Sequence, residues 1–246
     1  MAYSTFKPIV TDGLVLNLDA ANRRSFVSGS TVWNDLSGRG NTGTLTNGPT
    51  YSSANGGSIV FDGTNDYVIT SLNATPSLNI TSQITLDTWI KPLALANGTH
   101  GDGLISKGVS SDGNAAVYEL ILLPTGASNF PYFRIFIGSS SYVYSTSNIL
   151  IPINSISNIT CTYNGAIMRI FVNGVQSGVG TSISGSIQAN TEQLTIGVRY
   201  GQKDLPGISD SFYNGNIYSS KIYNRALSDI EILQNYNALK NRYIWV

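Results

Sequence analysis

Asp62, Asn65 and Asp66 lie close together in the segment Phe-Asp-Gly-Thr-Asn-Asp-Tyr, between two short apolar runs. Calcium prefers carboxylate and amide oxygens as ligands, and a tight turn through Gly63 would bring these side chains together. The sequence therefore predicts a calcium site at this turn. An alternative stays open here, because Asp-Gly turns also use side-chain oxygens to accept hydrogen bonds from the local backbone.

A second set of residues suits sugar recognition. Residues 83–91 alternate cleanly, so Asp87 and Trp89 share one face of a predicted strand. Tyr132 and Arg134 share one face of another strand, which we expect to be its neighbour. Aromatic rings can stack on pyranose rings while Asp and Arg supply hydrogen bonds, so this set predicts a glycan-binding groove. The alternative is that a loop or the terminal tail covers the aromatic rings.

The chain offers little for glycosidic bond hydrolysis, which in retaining enzymes uses two carboxyl groups roughly 5–5.5 Å apart. Its glutamates are Glu119, Glu192 and Glu231, and only Glu231 has a second acid, Asp229, two residues away. The start of a helix explains that pair better. The only histidine, His100, lies in a Gly-rich loop with no evident Ser-His-Asp set. We therefore predict that the protein is not an enzyme.

Short β-strands must position these residues. Residues 58–70 hold two strand patterns hinged on the acidic turn, and further alternating runs follow at nearly regular spacing. Asn-Gly pairs at residues 164–165 and 173–174 predict two hairpins, because Asn-Gly is favoured where both turn residues need a positive φ.

One helix is predicted near the end of the chain. Ser228 and Glu231 have the spacing of a capping box, in which each side chain bonds the other's backbone N–H. The helix should run to about Ala238.

Composition limits the classes of partner. Hydrophobic residues make up 41% of the 246 residues and charged residues only 11%, which predicts one β-rich domain with a sizeable core. Lys plus Arg, at 14, equals Asp plus Glu, at 14, so no net field draws the chain to nucleic acid. No apolar run approaches the ~18 residues of a bilayer span, so we expect no membrane insertion.

The single cysteine and the amino-terminal residues each support one further expectation. Cys161 is the only cysteine, which excludes an internal disulfide, and its apolar surroundings predict a buried side chain. The amino-terminal residues lack the pattern of a secretory signal, so we expect the chain to be made in the cytoplasm without a signal peptide.

Several segments together resemble the concanavalin A-like, laminin-G-like jelly-roll family. They are residues 13–19 (Gly-Leu-Val-Leu-Asn-Leu-Asp), 33–38 (Trp-Asn-Asp-Leu-Ser-Gly), 58–67, 84–92 and 215–231. The resemblance implies an all-β fold with two antiparallel sheets packed face to face as a jelly-roll sandwich, followed by the short C-terminal helix. The likeness covers nearly all of residues 13–238, which we predict to be the domain. Residues 1–12 show no strand or helix period and predict an N-terminal arm, and residues 239–246 form a C-terminal tail.

The resemblance also implies a role. The version with residues 13–19 and 33–38 is similar to domains of bacteriophage structural proteins, which implies a non-catalytic, lectin-like virion accessory protein. Its partners would be other virion proteins, held through the terminal segments, and cell-surface glycans. The alternative is a free carbohydrate-binding module or adhesin fragment of an exported, extracellular bacterial protein. Relatives often hold structural calcium, but this chain has Tyr218, Ser219 and Ser220 where they usually have an acid.

Overall fold

The computed structural model describes residues 7–71, 76–96, 101–108, 116–138, 141–199 and 211–243. Its elements form an antiparallel β-sandwich, as predicted. The strands are β1 Leu14–Asp19, β2 Val32–Trp33, β3 Gly43–Thr46, β4 Thr50–Ser52, β5 Ser58–Asp62, β6 Tyr67–Thr70, β7 Ile84–Pro92, β8 Asp102–Lys107, β9 Tyr118–Thr125, β10 Ser128–Ile137, β11 Ser141–Thr146, β12 Ile151–Pro152, β13 Ser157–Tyr163, β14 Ile167–Val172, β15 Val175–Ser182, β16 Leu194–Ile196 and β17 Asn214–Tyr223. Helix α1 spans Asp229–Tyr243, and short 3-10 turns span Ala54–Gly56 and Pro76–Leu78.

Two sheets make up the sandwich. Sheet A has the strand order β15-β14-β13-β7-β17-β5-β4, with β1 pairing to β17 beside β5. Sheet B has the order β11-β10-β9-β8-β16-β6-β3-β2, with β12 pairing to β10 beside β11.

The core lies between the inner faces of the two sheets. Leu86 and Ile90 of β7 join Leu120 of β9 and Phe133 of β10 in one buried cluster. The predicted alternation of β7 is confirmed, because Leu86 and Ile90 lie in this core whereas Trp89 lies in a cluster on the other side of sheet A. Cys161 is also buried in the core, as predicted.

The acidic turn connects the two sheets. Strand β5 pairs in sheet A with β17 and β4, whereas β6 pairs in sheet B with β16 and β3. The two strands of residues 58–70 therefore do not pair with each other, and the turn carries the chain across the sandwich. Gly63 has a φ of 76° there, and a Cβ would lie 2.7 Å from Cβ of Asn214, so glycine is required.

The predicted hairpins differ in detail. At 173–174, Asn173 and Gly174 have φ values of 52° and 78°, so both turn residues have the positive φ that the Asn-Gly pair predicts. At the first hairpin, residues 164–166 form a longer connection in which Gly165 has a positive φ and Asn164 does not. Asn164 Oδ1 instead accepts hydrogen bonds from the backbone N–H groups of Ala166 and Ile167, at 3.0 and 2.8 Å.

Helix α1 starts where the capping box predicts. The backbone N–H of Ser228 donates to Glu231 Oε2 at 2.9 Å, and the Glu231 N–H donates to Ser228 Oγ at 3.4 Å. The helix continues past Ala238 to Tyr243. In the part of the chain that the structure describes, no helix has the length and apolar character that a bilayer crossing requires.

The described residues nearest both termini pack together on the outer face of sheet A. The N–H of Val10 donates to Asn235 Oδ1 at 2.8 Å, and Gln234 Nε2 donates to the carbonyl of Pro8 at 2.7 Å. Tyr223 of β17 donates its hydroxyl hydrogen to the carbonyl of Val10 at 3.0 Å. The proposed division into arm, domain and tail stays a prediction, but the described part of the arm packs against α1.

Candidate functional site

Trp89 lies beneath helix α1. Its side chain points away from the core, on the outer face of sheet A, but the helix buries it fully. The indole stacks on the Tyr236 ring, with ring centroids 5.4 Å apart and an interplanar angle of 3°. Tyr243 packs against the same ring at 5.1 Å, and Tyr218 packs on Tyr243. In this arrangement the protein's own helix takes the place that a sugar ring would need.

Asp87 is part of a buried polar network under the same helix. Only 1% of its side chain is exposed, and its Oδ1 lies 3.3 Å from Nζ of Lys221, whose exposure is also 1%. Asn158 and Thr160 donate to Oδ2 at 3.0 and 2.7 Å. These contacts satisfy the carboxylate inside the protein, so its role here is structural.

The four predicted glycan-binding residues do not share one surface. Trp89 and Asp87 belong to β7 in sheet A, whereas Tyr132 and Arg134 belong to β10 in sheet B. The expectation that the two strands are neighbours is therefore wrong. Alternation shows which residues of a strand share a face, but it does not show which strands adjoin.

The outer face of sheet B presents a stacked tyrosine pair. Tyr132 of β10 and Tyr144 of β11 stack with centroids 4.9 Å apart and an interplanar angle of 20°. Tyr144 is 49% exposed. It is paired in register with Arg134, so a guanidinium-bearing side chain adjoins the aromatic pair. We call Tyr132, Tyr144 and Arg134 the tyrosine platform.

An arginine–glutamate–arginine cluster adjoins the platform. Arg134 and Arg199 both form ion pairs with Glu119 of β9. Arg199 donates to the two carboxylate oxygens through Nε at 3.2 Å and Nη2 at 3.1 Å, and Ser106 Oγ donates to Oε2 at 3.4 Å. Glu119 is 1% exposed, while the side chains of Arg134 and Arg199 are 12% and 10% exposed.

The sequence patterns identify only part of this face. The alternation of β10 selects Tyr132 and Arg134, and the same period places Tyr144 on one face of β11. Glu119 stands out in the sequence only as a candidate catalytic acid. No sequence pattern points to Arg199, which follows β16 and reaches Glu119 across 80 residues of sequence.

The acidic turn uses its oxygens locally. Asp62 Oδ1 accepts hydrogen bonds from the backbone N–H groups of Thr64 and Asn65 at 2.8 and 3.4 Å, and Asp66 Oδ2 accepts from Asp62 N–H at 3.1 Å. Burial raises the pKa of Asp66, which disfavours its charged form. Within the described ranges, no three His, Cys, Asp or Glu residues form a group that could hold a metal. The residues fit a hydrogen-bonded turn better than a calcium site, and calcium binding there stays a prediction.

Two of the three glutamates, Glu119 and Glu231, form ion pairs with arginine. Glu231 pairs with Arg225 through hydrogen bonds of 2.6 and 3.0 Å. Those bonds, opposed by partial burial and assisted by Ser228, lower the Glu231 pKa to about 2. The Glu119 carboxylate pairs with two arginines. His100 lies outside the described residues.

An open groove of about 650 Å³ lies at the start of α1. Its charged lining residues pair with one another: Arg169 Nη1 lies 3.1 Å from Asp229 Oδ1, and Arg225 pairs with Glu231. Since these pairs cap and orient the helix, the groove serves the fold, and the platform on sheet B is the stronger candidate site.

Known structures share this fold at low sequence identity. Domain 4 of AbnA, a GH43 extracellular arabinanase from Geobacillus stearothermophilus solved with arabinotriose, has a TM-score of 0.64 and 17% identity, with 91% of this chain and 98% of that chain covered. The binding domain of Paraclostridial Mosquitocidal Protein 1 has a TM-score of 0.69 and 18% identity, covering 94% and 53%. Botulinum neurotoxin type C, whose cell entry depends on interaction with two ganglioside molecules, has a TM-score of 0.69 and 17% identity, covering 94% and 52%. The chain thus spans about half the length of the toxin structures.

A family comparison identifies the group. No curated protein matches the sequence significantly. The model of the Concanavalin A-like lectin/glucanases superfamily (Laminin_G_3) matches residues 62–233, a range that includes β7, the tyrosine platform and the start of α1. Since this match extends over more than half of the sequence and agrees with the two-sheet sandwich, the chain belongs to the Concanavalin A-like lectin/glucanases superfamily.

Proposed function

We propose that this chain is a non-catalytic carbohydrate-binding domain whose ligand lies on the outer face of sheet B. The observation that carries the proposal is the stacked pair of Tyr132 and Tyr144, in which Tyr144 keeps 49% of its surface exposed. A large, exposed aromatic side chain on a strand offers apolar contact area together with a hydroxyl group.

The chemistry of a sugar ring matches this surface. One face of many pyranose rings carries C–H groups, which pack on an aromatic face, while the hydroxyl groups around the ring need hydrogen-bond partners. Tyr144 supplies the aromatic face together with a phenolic hydroxyl that can donate and accept hydrogen bonds, and Arg134 lies beside it in register. Both strands belong to one sheet, so the groups are held by backbone hydrogen bonds.

The comparisons agree with a binding role. Domain 4 of the arabinanase was solved with arabinotriose, and the botulinum neurotoxin type C structure concerns ganglioside interaction. Both share the fold with this chain at identities below 20%, so they support the class of ligand and no particular residue.

The carboxylates favour binding over hydrolysis, although the superfamily name covers both lectins and glucanases. Glu119 pairs with Arg134 of the platform, and both of its oxygens accept hydrogen bonds from Arg199. Retaining hydrolysis needs a pair of carboxyl groups roughly 5–5.5 Å apart that act as acid and nucleophile, whereas the Glu119 carboxylate is already engaged by arginine.

A glycan array with the intact protein tests the proposal. We expect binding to at least one class of glycan, and we expect Tyr144→Ala to weaken it about tenfold, which is about 1.4 kcal/mol, because the variant loses the aromatic contact area. Leu233→Ala is the matched control, because Leu233 is 46% exposed on the α1 side of the molecule.

Either of two results would contradict the proposal. One is that the folded protein binds no glycan on the array. The other is that Tyr144→Ala and Leu233→Ala retain equal affinity for the bound glycan, which would place the ligand elsewhere. Release of reducing sugar from the same glycans would contradict the non-catalytic part.

The biological setting is a separate proposal. We infer from the resemblance in residues 13–19 and 33–38 that the domain is a virion accessory protein, held by its terminal segments; the other setting is an exported bacterial module or adhesin. The location of both described terminal segments on sheet A agrees with attachment on that side and glycan binding on the other. Mass spectrometry of purified phage particles tests this, and finding the chain only in the secreted fraction of bacteria would favour the other setting.

A further inference from the structure

We infer that the tyrosine platform binds a linear chain of neutral pyranose units, which lies along β10 from Tyr144 towards Phe130. This inference rests on the proposed carbohydrate-binding function and names the class of ligand. It is carried by a row of partly exposed, uncharged side chains that continues the platform along β10 and β11.

Strand alternation and register place these side chains in one row. Phe133 and Ile135 of β10 lie in the core. Phe130 and Tyr132 therefore lie on the outer face of sheet B, where both are partly exposed. Thr146 of β11 lies opposite Tyr132 and is exposed. Successive outward positions of a strand are roughly 7 Å apart, so the Phe130 ring follows directly after the stacked tyrosines.

The two ends of the row differ in exposure. At one end Arg134 pairs with Glu119, and their side chains are 12% and 1% exposed. At the other end Phe130 lies opposite Leu123 of β9, which is partly exposed, and residues 124–127 beyond it are exposed. A ligand longer than one ring therefore meets accessible surface towards Phe130 and buried side chains towards Arg134.

The chemistry of the row suits a neutral chain with repeated rings. Tyr144, Tyr132 and Phe130 offer aromatic faces to the C–H groups of successive pyranose rings. Thr146 adds a hydroxyl group, which can donate and accept hydrogen bonds with sugar hydroxyls. The outward residues from Tyr144 to Phe130 carry no formal charge, so the recognition that they provide requires no ionic group on the ligand.

Series of oligosaccharides test the inference on the unmodified protein. The probes are gluco-, manno-, galacto- and xylo-oligosaccharides of one to six units, titrated by isothermal calorimetry. We expect at least one series to bind, with an affinity that rises about tenfold or more from the monosaccharide to the tetrasaccharide. The reason is that only the longer chain reaches Phe130 in addition to the tyrosines.

Variants locate the second contact. Phe130→Ala should lower the affinity for the tetrasaccharide about fivefold or more and leave the affinity for the monosaccharide nearly unchanged, whereas Tyr144→Ala should lower both. Phe130→Leu keeps an apolar side chain without the aromatic face and should show part of the same loss. Leu233→Ala, on the α1 side of the molecule, should leave both affinities unchanged. Circular dichroism and thermal melting show whether each variant is folded.

The outcomes are distinguishable. If the bound series has the same affinity at every length, or if folded Phe130→Ala and Phe130→Leu lose no more affinity than Leu233→Ala, the inference is overturned and carbohydrate binding survives. The same holds if a glycan on the array binds and none of the four series does. If no series and no glycan on the array binds, both the inference and the proposed function are overturned.

Discussion

The stability contribution of the buried ion pair beneath α1 tests whether the helix excludes water from the outer face of sheet A. Nζ of Lys221 lies 3.3 Å from Oδ1 of Asp87, and each side chain is 1% exposed. Replacing Lys221 with Met removes the positive charge and keeps a side chain of similar length. The Asp87 carboxylate then stays buried without its cation.

The expected loss follows from that burial. Removing one partner of a buried ion pair typically costs about 3–5 kcal/mol, because the remaining charge is uncompensated away from water. Asn158 and Thr160 still donate to Asp87 in the variant, so we expect a value near the lower end, about 3 kcal/mol. This is a large part of the roughly 5–15 kcal/mol that stabilises a typical domain.

Urea unfolding of four proteins measures the effect. They are the wild type, Lys221→Met, Asp87→Asn and the double variant, and the double variant should lose about 1–3 kcal/mol less than the sum of the single losses. The ion pair of Arg169 and Asp229 is the matched control. It is exposed by 33% and 64%, so Arg169→Met should cost less than about 1 kcal/mol.

One result would refute the reasoning. If Lys221→Met unfolds at the same urea concentration as the wild type, water reaches Asp87 and α1 does not seal the face. Trp89 would then again be a candidate for sugar stacking. Unchanged glycan affinity in a destabilised Lys221→Met variant would instead agree with a purely structural role for this pair.

Two further predictions concern the helix start and the acidic turn. The pKa of Glu231 is lowered from 4.5 to about 2, chiefly by hydrogen bonds from Arg225. The charged carboxylate therefore adds to the free energy of unfolding above pH 4.5, and this contribution is lost as the pH falls through about 2. In urea titrations, Glu231→Gln should cost roughly 1 kcal/mol at pH 7 and much less near pH 2. Equal losses at both pH values would show that the charge of Glu231 contributes nothing. The described carboxylate contacts of Asp62 and Asp66 are to the turn backbone. Adding calcium or a chelator should therefore leave the melting temperature unchanged. If calcium instead raises the melting temperature, and Asp62→Asn removes that rise, the turn is a calcium site as the sequence predicts.

Local patterns in the sequence predicted local structure well. The alternation of β7 identified the core-facing residues, and the capping box placed the start of α1 at Ser228. The Asn-Gly pair at 173–174 has the predicted turn conformation. Each of these features depends on residues within one strand or turn, where steric and hydrogen-bonding preferences act over a few positions.

Contacts between residues far apart in the sequence could not be predicted from these local patterns. Residues 58–70 hold two good strand patterns, but nothing local shows that their strands enter different sheets. Trp89 has the composition of an exposed binding residue, and it is buried by Tyr236 and Tyr243 from more than 140 positions away. Arg199 reaches Glu119 across 80 residues. Such contacts depend on how whole sheets and the helix pack, which cannot be predicted from the sequence of a single strand.

The position of α1 decides which sheet face is available for a ligand. The buried side of the helix carries Leu239 and Tyr243, which pack with Trp89 and Tyr218 of sheet A. Ile232 of the same helix packs with Phe171 and Tyr223. The same aromatic side chains that would make sheet A a sugar platform therefore make it the docking surface for the helix. On sheet B, Tyr144 remains half exposed beside Arg134. Aromatic residues thus occur on both outer faces, and the one that the chain's own helix leaves uncovered is the face proposed to bind glycans.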